Sequence, residues 1–214
     1  MRKLSACLLL AALSQSAWAI DTADQQRLSR IQQSWAHIQY EVVEKQRAAA
    51  FEQLSTQASQ FTNERPTLAE AWIWRGIVTS SWAGAEGGLG ALGKAKDAKS
   101  DLEKSLSLDP KALQGSAYTS LAALYDRVPG WPIGFGDSDK AEQLLKQALQ
   151  LNPDGIDSLY FWGDHLYREK RYAEAKVALQ KALQAAPRPG RETADAGRRK
   201  EIAALLVDVT KKLD

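Results

Sequence analysis

Three times along the chain, an alternation of apolar and polar residues with helical spacing runs into the same ending: Leu106-Ser107-Leu108-Asp109-Pro110, Leu149-Gln150-Leu151-Asn152-Pro153 and Leu183-Gln184-Ala185-Ala186-Pro187. Ahead of each ending, small residues stand at Ala98, Ala141 and Ala175 and again at Ser105, Ala148 and Ala182, with Leu102, Leu145 and Leu179 between them. Steps of three and four residues place these positions on one helix face, and the proline, with no N–H to donate, ends the helix. Each stripe predicts the second helix of a pair. The first helices align as well: Ala71-Trp72 with Gly76, Tyr118 with Ala122, and Leu159 with Gly163. Small residues there let antiparallel helices approach closely, while bulky ones fill the space between neighbouring pairs.

Internal repetition of this kind is the mark of stacked supersecondary units. The segments resemble tetratricopeptide repeats, most fully from Ile156 to Pro187, where Leu159, Trp162, Gly163, Leu166, Tyr172, Ala175, Leu179, Ala182 and Pro187 all stand at family positions. The resemblance covers residues 69 to 187 and implies an all-α, helical-hairpin solenoid with three recognisable repeats, about 69–110, 115–153 and 156–187. Ala141 to Ala175 keeps the family's period of about 34 residues, whereas Ala98 to Ala141 exceeds it. The excess falls between the two helices of a pair. Residues 83–96, with Gly84, Gly87, Gly88, Gly90 and Gly93, and residues 128–137, Val128-Pro129-Gly130-Trp131-Pro132-Ile133-Gly134-Phe135-Gly136-Asp137, are therefore expected as inserted loops, neighbours on one side of the array.

Residues 20–66 carry the stripe Leu28, Ile31, Trp35, Ile38 and Val42, continued by Leu54, Ala58 and Phe61 and closed by Pro66. This region reads as an N-terminal helical pair, a degenerate repeat, with one long helix as the alternative. Residues 188–214 predict a C-terminal capping helix, from Ala194 to Leu213, that covers the exposed apolar face of the last repeat.

The first nineteen residues stand apart. Arg2 and Lys3 precede the apolar run Leu4 to Leu13, and Ala17-Trp18-Ala19 supplies a small-x-small cleavage site, so residues 1–19 read as a signal peptide and the mature chain starts at Ile20. Leu4-Ser5-Ala6-Cys7 resembles a lipobox, but its apolar stretch follows the cysteine instead of preceding it, which argues against lipoprotein anchoring. Removing Arg2 and Lys3 reduces the 28 basic residues to equal the 26 acidic ones. The chain's slight basicity thus belongs to its leader, and a neutral mature chain gives no ground for nucleic-acid binding. No later stretch is long and apolar enough to span a bilayer. A periplasmic location follows as the expectation.

Chemical motifs are sparse. Gly88-Leu89-Gly90-Ala91-Leu92-Gly93-Lys94 satisfies GxGxxG and most of GxxxxGK, yet both need a preceding strand, and Ala95 stands where a P-loop requires a hydroxyl. His37 and His165 are the only histidines, without ligand-spaced partners. The expectation is no metal, no cofactor and no catalytic set. The tail holds Arg188, Arg191, Arg198, Arg199 and Lys200 against Glu192 and Asp195, read either as a self-paired helix start or as an anion or carboxylate contact.

In the family that these segments resemble, first helices line the concave face. Family positions, carried over one by one, place Asp157, Tyr160, Phe161, Asp164, Tyr167 and Arg168 there from the last repeat, and Ser116, Thr119, Ser120, Ala123, Asp126 and Arg127 from the middle one. The first repeat adds Glu70, Ile73, Trp74, Ile77, Ser80 and Ser81. Trp72 and Trp162 fall at repeat-core positions, whereas Trp74, Trp82 and Trp131 do not; Trp131 and Phe135 are placed over one edge of a shallow groove. The function so implied is a protein-interaction module or assembly scaffold in the cell envelope, gripping a peptide or protein segment. The alternative is a small-ligand or lipid-binding helical component of an envelope transport system. Catalysis by Asp157 and Asp164 on an envelope polymer ranks last.

Overall fold

The computed structural model describes residues 20–214; the signal-peptide reading of residues 1–19 lies outside them. The described chain is a series of antiparallel helical hairpins: α1 (Thr22–Tyr40), α2 (Glu44–Glu64), α3 (Ala69–Glu86), α4 (Gly88–Leu108), α5 (Ser116–Arg127), α6 (Ser138–Leu151), α7 (Ile156–Arg168), α8 (Tyr172–Leu183) and α9 (Glu192–Lys211). Among the described residues no strand occurs, and only an isolated bridge joins Gly130 to Gly136. The fold is an all-α solenoid.

Local chemistry sets the element ends. Asp21 caps α1 by accepting from the Asp24 amide at 2.8 Å, and Asp137 caps α6 by accepting from the Lys140 amide at 2.9 Å. The N-terminal region is two helices: α1 stops at Tyr40, and Val43 takes an extended conformation before α2 begins. Gly115, entering α5, has φ +77°, and a Cβ there would stand 2.7 Å from Leu151 Cδ1, so both backbone and packing demand glycine.

The glycine-rich segment 83–96 corrects the expectation of an inserted loop. It is helical apart from a one-residue break at Gly87, where φ is +64°, and the extra residues lengthen α3 and α4. Each glycine costs a helix about 1 kcal/mol relative to alanine, but Ala95, Ala98 and Leu102 are buried against α3 and outweigh that penalty. Lys94 adds an ion pair to Glu86 and lies 4.3 Å above the Trp82 ring. Residues 128–137 do form an irregular connection. That connection packs on the start of α4, with Gly134 near Leu92 and Phe135 near Lys99, so the two insertions meet.

The helices fall into two layers. α2, α4, α6 and α8 form the outer one; α1, α3, α5, α7 and α9 stand side by side in the inner one. One apolar core runs from α1 to α6 and includes Ala194 of α9, and a second joins α7, α8 and α9, with Phe161 and Trp162 packed against both. Helix α9 covers α8 and α7 and then also reaches α1. The array therefore closes on itself.

Candidate functional site

The closed inner layer surrounds a cavity of about 1030 Å³. Its walls come from every inner helix, from the start of α4, and from the connections preceding α5, α6, α7 and α9, the second of these through Val128, Pro129 and Ile133. The expected shallow groove is thus corrected to a deep, partly open cavity ringed by the inner helices. Three repeats alone bend too little to close, and closure comes from α9 docking on α1, where Gly197 faces Tyr40.

One side of the cavity is aromatic. Trp35 meets Tyr40 and Trp74 edge-on, each at 5.9 Å between centroids, and the Trp35 indole donates to Ser81 Oγ at 2.8 Å. Tyr160 and Phe161 form a second edge-on pair at 5.1 Å. α5 supplies a small, hydroxyl-rich wall of Ser116, Thr119, Ser120 and Ala123. Such surfaces combine apolar contact with a few fixed polar groups, as binding cavities do.

The other side is a lattice of arginines and carboxylates. Asp157 accepts from Arg188 at 2.7 Å and from Arg198 at 2.8 Å. Burial opposes ionisation of Asp157, but the charges of Arg198 and Arg188 prevail and hold its carboxyl well below the usual range. Burial likewise opposes the charge on Arg198, and Asp157 reverses the effect, leaving its pKa raised. Arg198 also pairs with Glu201 and lies 4.3 Å above the Tyr160 ring. Burial is the leading cause that raises the phenol pKa of both Tyr40 and Tyr160, so each keeps its proton at neutral pH.

The residues expected on the concave face divide. Trp74, Ile77, Arg127, Asp157, Tyr160 and Phe161 line the cavity, as do Ser80, Ser81, Ser116, Thr119, Ser120 and Ala123. Asp126, Trp131, Phe135, Asp164, Tyr167, Arg168, Glu70 and Ile73 do not. Ile73 is wholly buried in the core, and Tyr167 tilts against Tyr172. Asp164 receives Arg127 at 2.9 Å and Arg168 at 3.3 Å. Phe135 packs edge-on to Tyr125 at 5.5 Å, and Trp131, 90% exposed, does not line the space that it was expected to cap, although Pro129 and Ile133 beside it do. The tryptophan assignments of α3 also reverse. Trp74 is buried, while Trp72 is half-buried under Arg75 and donates to the Pro66 carbonyl at 2.9 Å.

The contributions missed in the sequence come from outside the first helices of the repeats. Gln32, Trp35, Gln39 and Tyr40 of α1, Leu113 and Gln114 before α5, and Arg188, Arg191, Arg198 and Glu201 all reach the cavity. A basic tail was legible; that it folds back to face α1 was not.

His165 lies in a separate polar cluster. It is 1% exposed, with Nδ1 3.0 Å from Asp126 and Nε2 3.6 Å from Glu142, too far for a hydrogen bond. Trp162 stacks on its ring at 5.7 Å. Burial alone would lower its pKa, but Asp126 and then Glu142 raise it. The cluster links α5, α6 and α7 and does not open into the cavity. Among the described residues, no group of three or more His, Cys, Asp or Glu side chains is arranged to hold a metal ion, and no helix is long and apolar enough to cross a membrane.

Stacked helical hairpins with an inner face held open define a repeat solenoid, a class that presents concave surfaces to partners. A family model described as Tetratricopeptide repeat matches residues 133–192. Residues 133–192 thus carry tetratricopeptide-repeat sequence, and the helical hairpins of the other described residues share that type of fold. Among solved structures, the chain is similar to a thermophilic TPR protein of Thermus thermophilus, at 18% identity and a TM-score of 0.57, over 86% of this chain and 98% of the other. It also aligns with PilF of Pseudomonas aeruginosa, at 15% identity and a TM-score of 0.37, over 90% of this chain and 94% of the other, a likeness too slight to inform the fold. No curated protein matches the chain.

Proposed function

We propose that the protein is an exported interaction module that holds a short segment of a partner polypeptide in its central cavity. The observation that carries this reading is the ring of five inner helices around a partly open cavity of about 1030 Å³, walled by aromatics, hydroxyls and arginines. An extended segment with both apolar and charged side chains matches such a wall. The leader read in residues 1–19 supports the periplasm as the working compartment.

The size of the cavity also favours a second reading. The volume lies at the upper end of small-molecule sites, roughly 300–1,000 Å³, so a carried small ligand is the alternative occupant.

Both are tested by isolating the mature protein gently from its own envelope and recording native mass spectra before and after denaturation. A mass beginning at Ile20 supports export. A dissociable polypeptide supports the first reading, and an added few hundred daltons supports the second. Ser120→Trp, which puts a large ring into the cavity from α5, should abolish either association. An association that survives this substitution overturns the cavity as the site.

A further inference from the structure

The cavity wall has one cation more than it can pair. Arg127 is matched by Asp164, Arg188 by Asp157 and Asp195, and Arg198 by Asp157 and Glu201. Arg191 lines the same cavity, and among the described residues its guanidinium neither donates a hydrogen bond nor approaches a carboxylate within salt-bridge distance; its Nε is buried with no acceptor.

Beneath it lies a second orphan. The Arg191 guanidinium carbon is 5.1 Å from the centre of the Trp74 ring, and Trp74, 3% exposed, buries its own Nε1–H with no acceptor. Indole and guanidinium nitrogens are donors only. Two such groups left together without an acceptor carry a desolvation penalty that the tertiary structure does not relieve. Burial and the neighbouring Arg188 charge also pull the Arg191 pKa below the usual guanidinium value, the behaviour of a cation lacking a counter-ion.

Resting on the reading of the cavity as a binding site, we infer that Arg191, stacked on Trp74, is the receptor for a carboxylate group of the occupant. A planar guanidinium presents parallel donors to the two oxygens of a carboxylate. Asp157 and Asp195 are already paired with Arg188 and Arg198, so Arg191 is left as a single unmatched positive charge, which one carboxylate neutralises. The site differs from the basic patches that read nucleic-acid backbones, because every neighbouring arginine is already spent on an acid. The aromatic wall of Trp35, Tyr40 and Trp74 then receives the apolar part that carries the carboxylate.

The carboxylate can end a polypeptide or belong to a free organic acid, and the probes separate these sources. Calorimetric titration of the mature protein uses an apolar tetrapeptide with a free C-terminus, the same peptide amidated, decanoate, and decanol. Binding of the free peptide but not decanoate identifies a chain end; binding of decanoate alone identifies a small acid. In either case the acid should bind at least tenfold more tightly than its neutral counterpart. Arg191→Met should remove that preference without weakening the neutral probe, and Arg191→Lys should keep part of it. Arg191→Gln serves if the methionine variant does not fold. Equal affinity for acid and neutral probes, blocked by Ser120→Trp, overturns the carboxylate site and leaves the cavity reading intact. Binding that ignores Ser120→Trp, or no binding by any probe, overturns both.

Discussion

Gly197 on α9 lies so close to the Tyr40 ring on α1 that a methyl group at position 197 would overlap three of the ring's carbons. The contact joins the two ends of the array. Tyr40 is held there by more than shape, since its hydroxyl donates to Glu201 at 3.4 Å. Gly197→Val should force α9 away from α1 and lower stability by about 1–3 kcal/mol, the usual cost of overpacking. Urea denaturation measures the loss, and small-angle scattering should register an increased radius of gyration. An unchanged midpoint and radius would show that the junction does not hold the ring closed.

Gly76 and Gly163 occupy equivalent places in the first and last repeats. A Cβ at Gly76 would stand 2.7 Å from Leu102 Cγ, and one at Gly163 would stand 2.6 Å from Leu179 Cγ. Alanine is worth about 1 kcal/mol more than glycine inside a helix, so a purely local view predicts stabilisation. The packed leucines reverse the sign. Gly76→Ala and Gly163→Ala should each destabilise the protein in thermal denaturation, and Gly76→Ala paired with Leu102→Ala should be less harmful than the two single effects added together.

These glycines, and the Ala and Leu positions that face them, were legible because close helix packing leaves a periodic record in the sequence. The glycine-rich stretch before Ala95 was misread because glycine lowers local helix propensity while tertiary burial, which local pattern does not contain, decides the outcome. The candidate site was legible by half. Trp74, Ile77, Asp157, Tyr160 and Phe161 reach the cavity from repeat positions, but Tyr40, Arg191 and Arg198 reach it only because α9 docks on α1. Such a meeting is a long-range relationship that repeat spacing does not encode. Asp126 is placed on the concave face by its family position alone; its carboxylate instead turns toward His165.

The His165 cluster should make stability depend on pH. Burial works against the imidazolium, but Asp126 and Glu142 outweigh it, so the folded pKa lies above the unfolded one. Glu142 is shared with Arg171 and Lys146. A raised pKa stabilises the fold while the group is protonated. That contribution is complete below about pH 6.5, the unfolded value, and disappears as pH rises through the folded value. The urea midpoint should therefore fall between mildly acidic and mildly alkaline pH, and His165→Gln should flatten the slope. Parallel profiles would refute the coupling. Asp126→Ala, which strands the buried imidazole, should cost about 3 kcal/mol.

Trp131 offers a control on the opposite side of the argument. It and Ile133 are 90% and 69% exposed. Trp131→Ala should alter stability by less than about 0.5 kcal/mol, as for surface positions without special contacts. It should also leave occupancy of the cavity unchanged, since the ring does not line it. Loss of cavity binding in this variant would bring the Trp131 ring itself into the site, beside Pro129 and Ile133, which already line it.

The junction of α9 with α1 also bears on how the molecule comes apart. An open row of repeats is a sum of neighbours, able to fray from either end while its middle persists. Here residues 161 positions apart in sequence share a hydrogen bond, so releasing the last helix exposes the first as well. The array has no free end from which to unzip, and loss of its last helix would dismantle the cavity together with the fold's margin against unfolding.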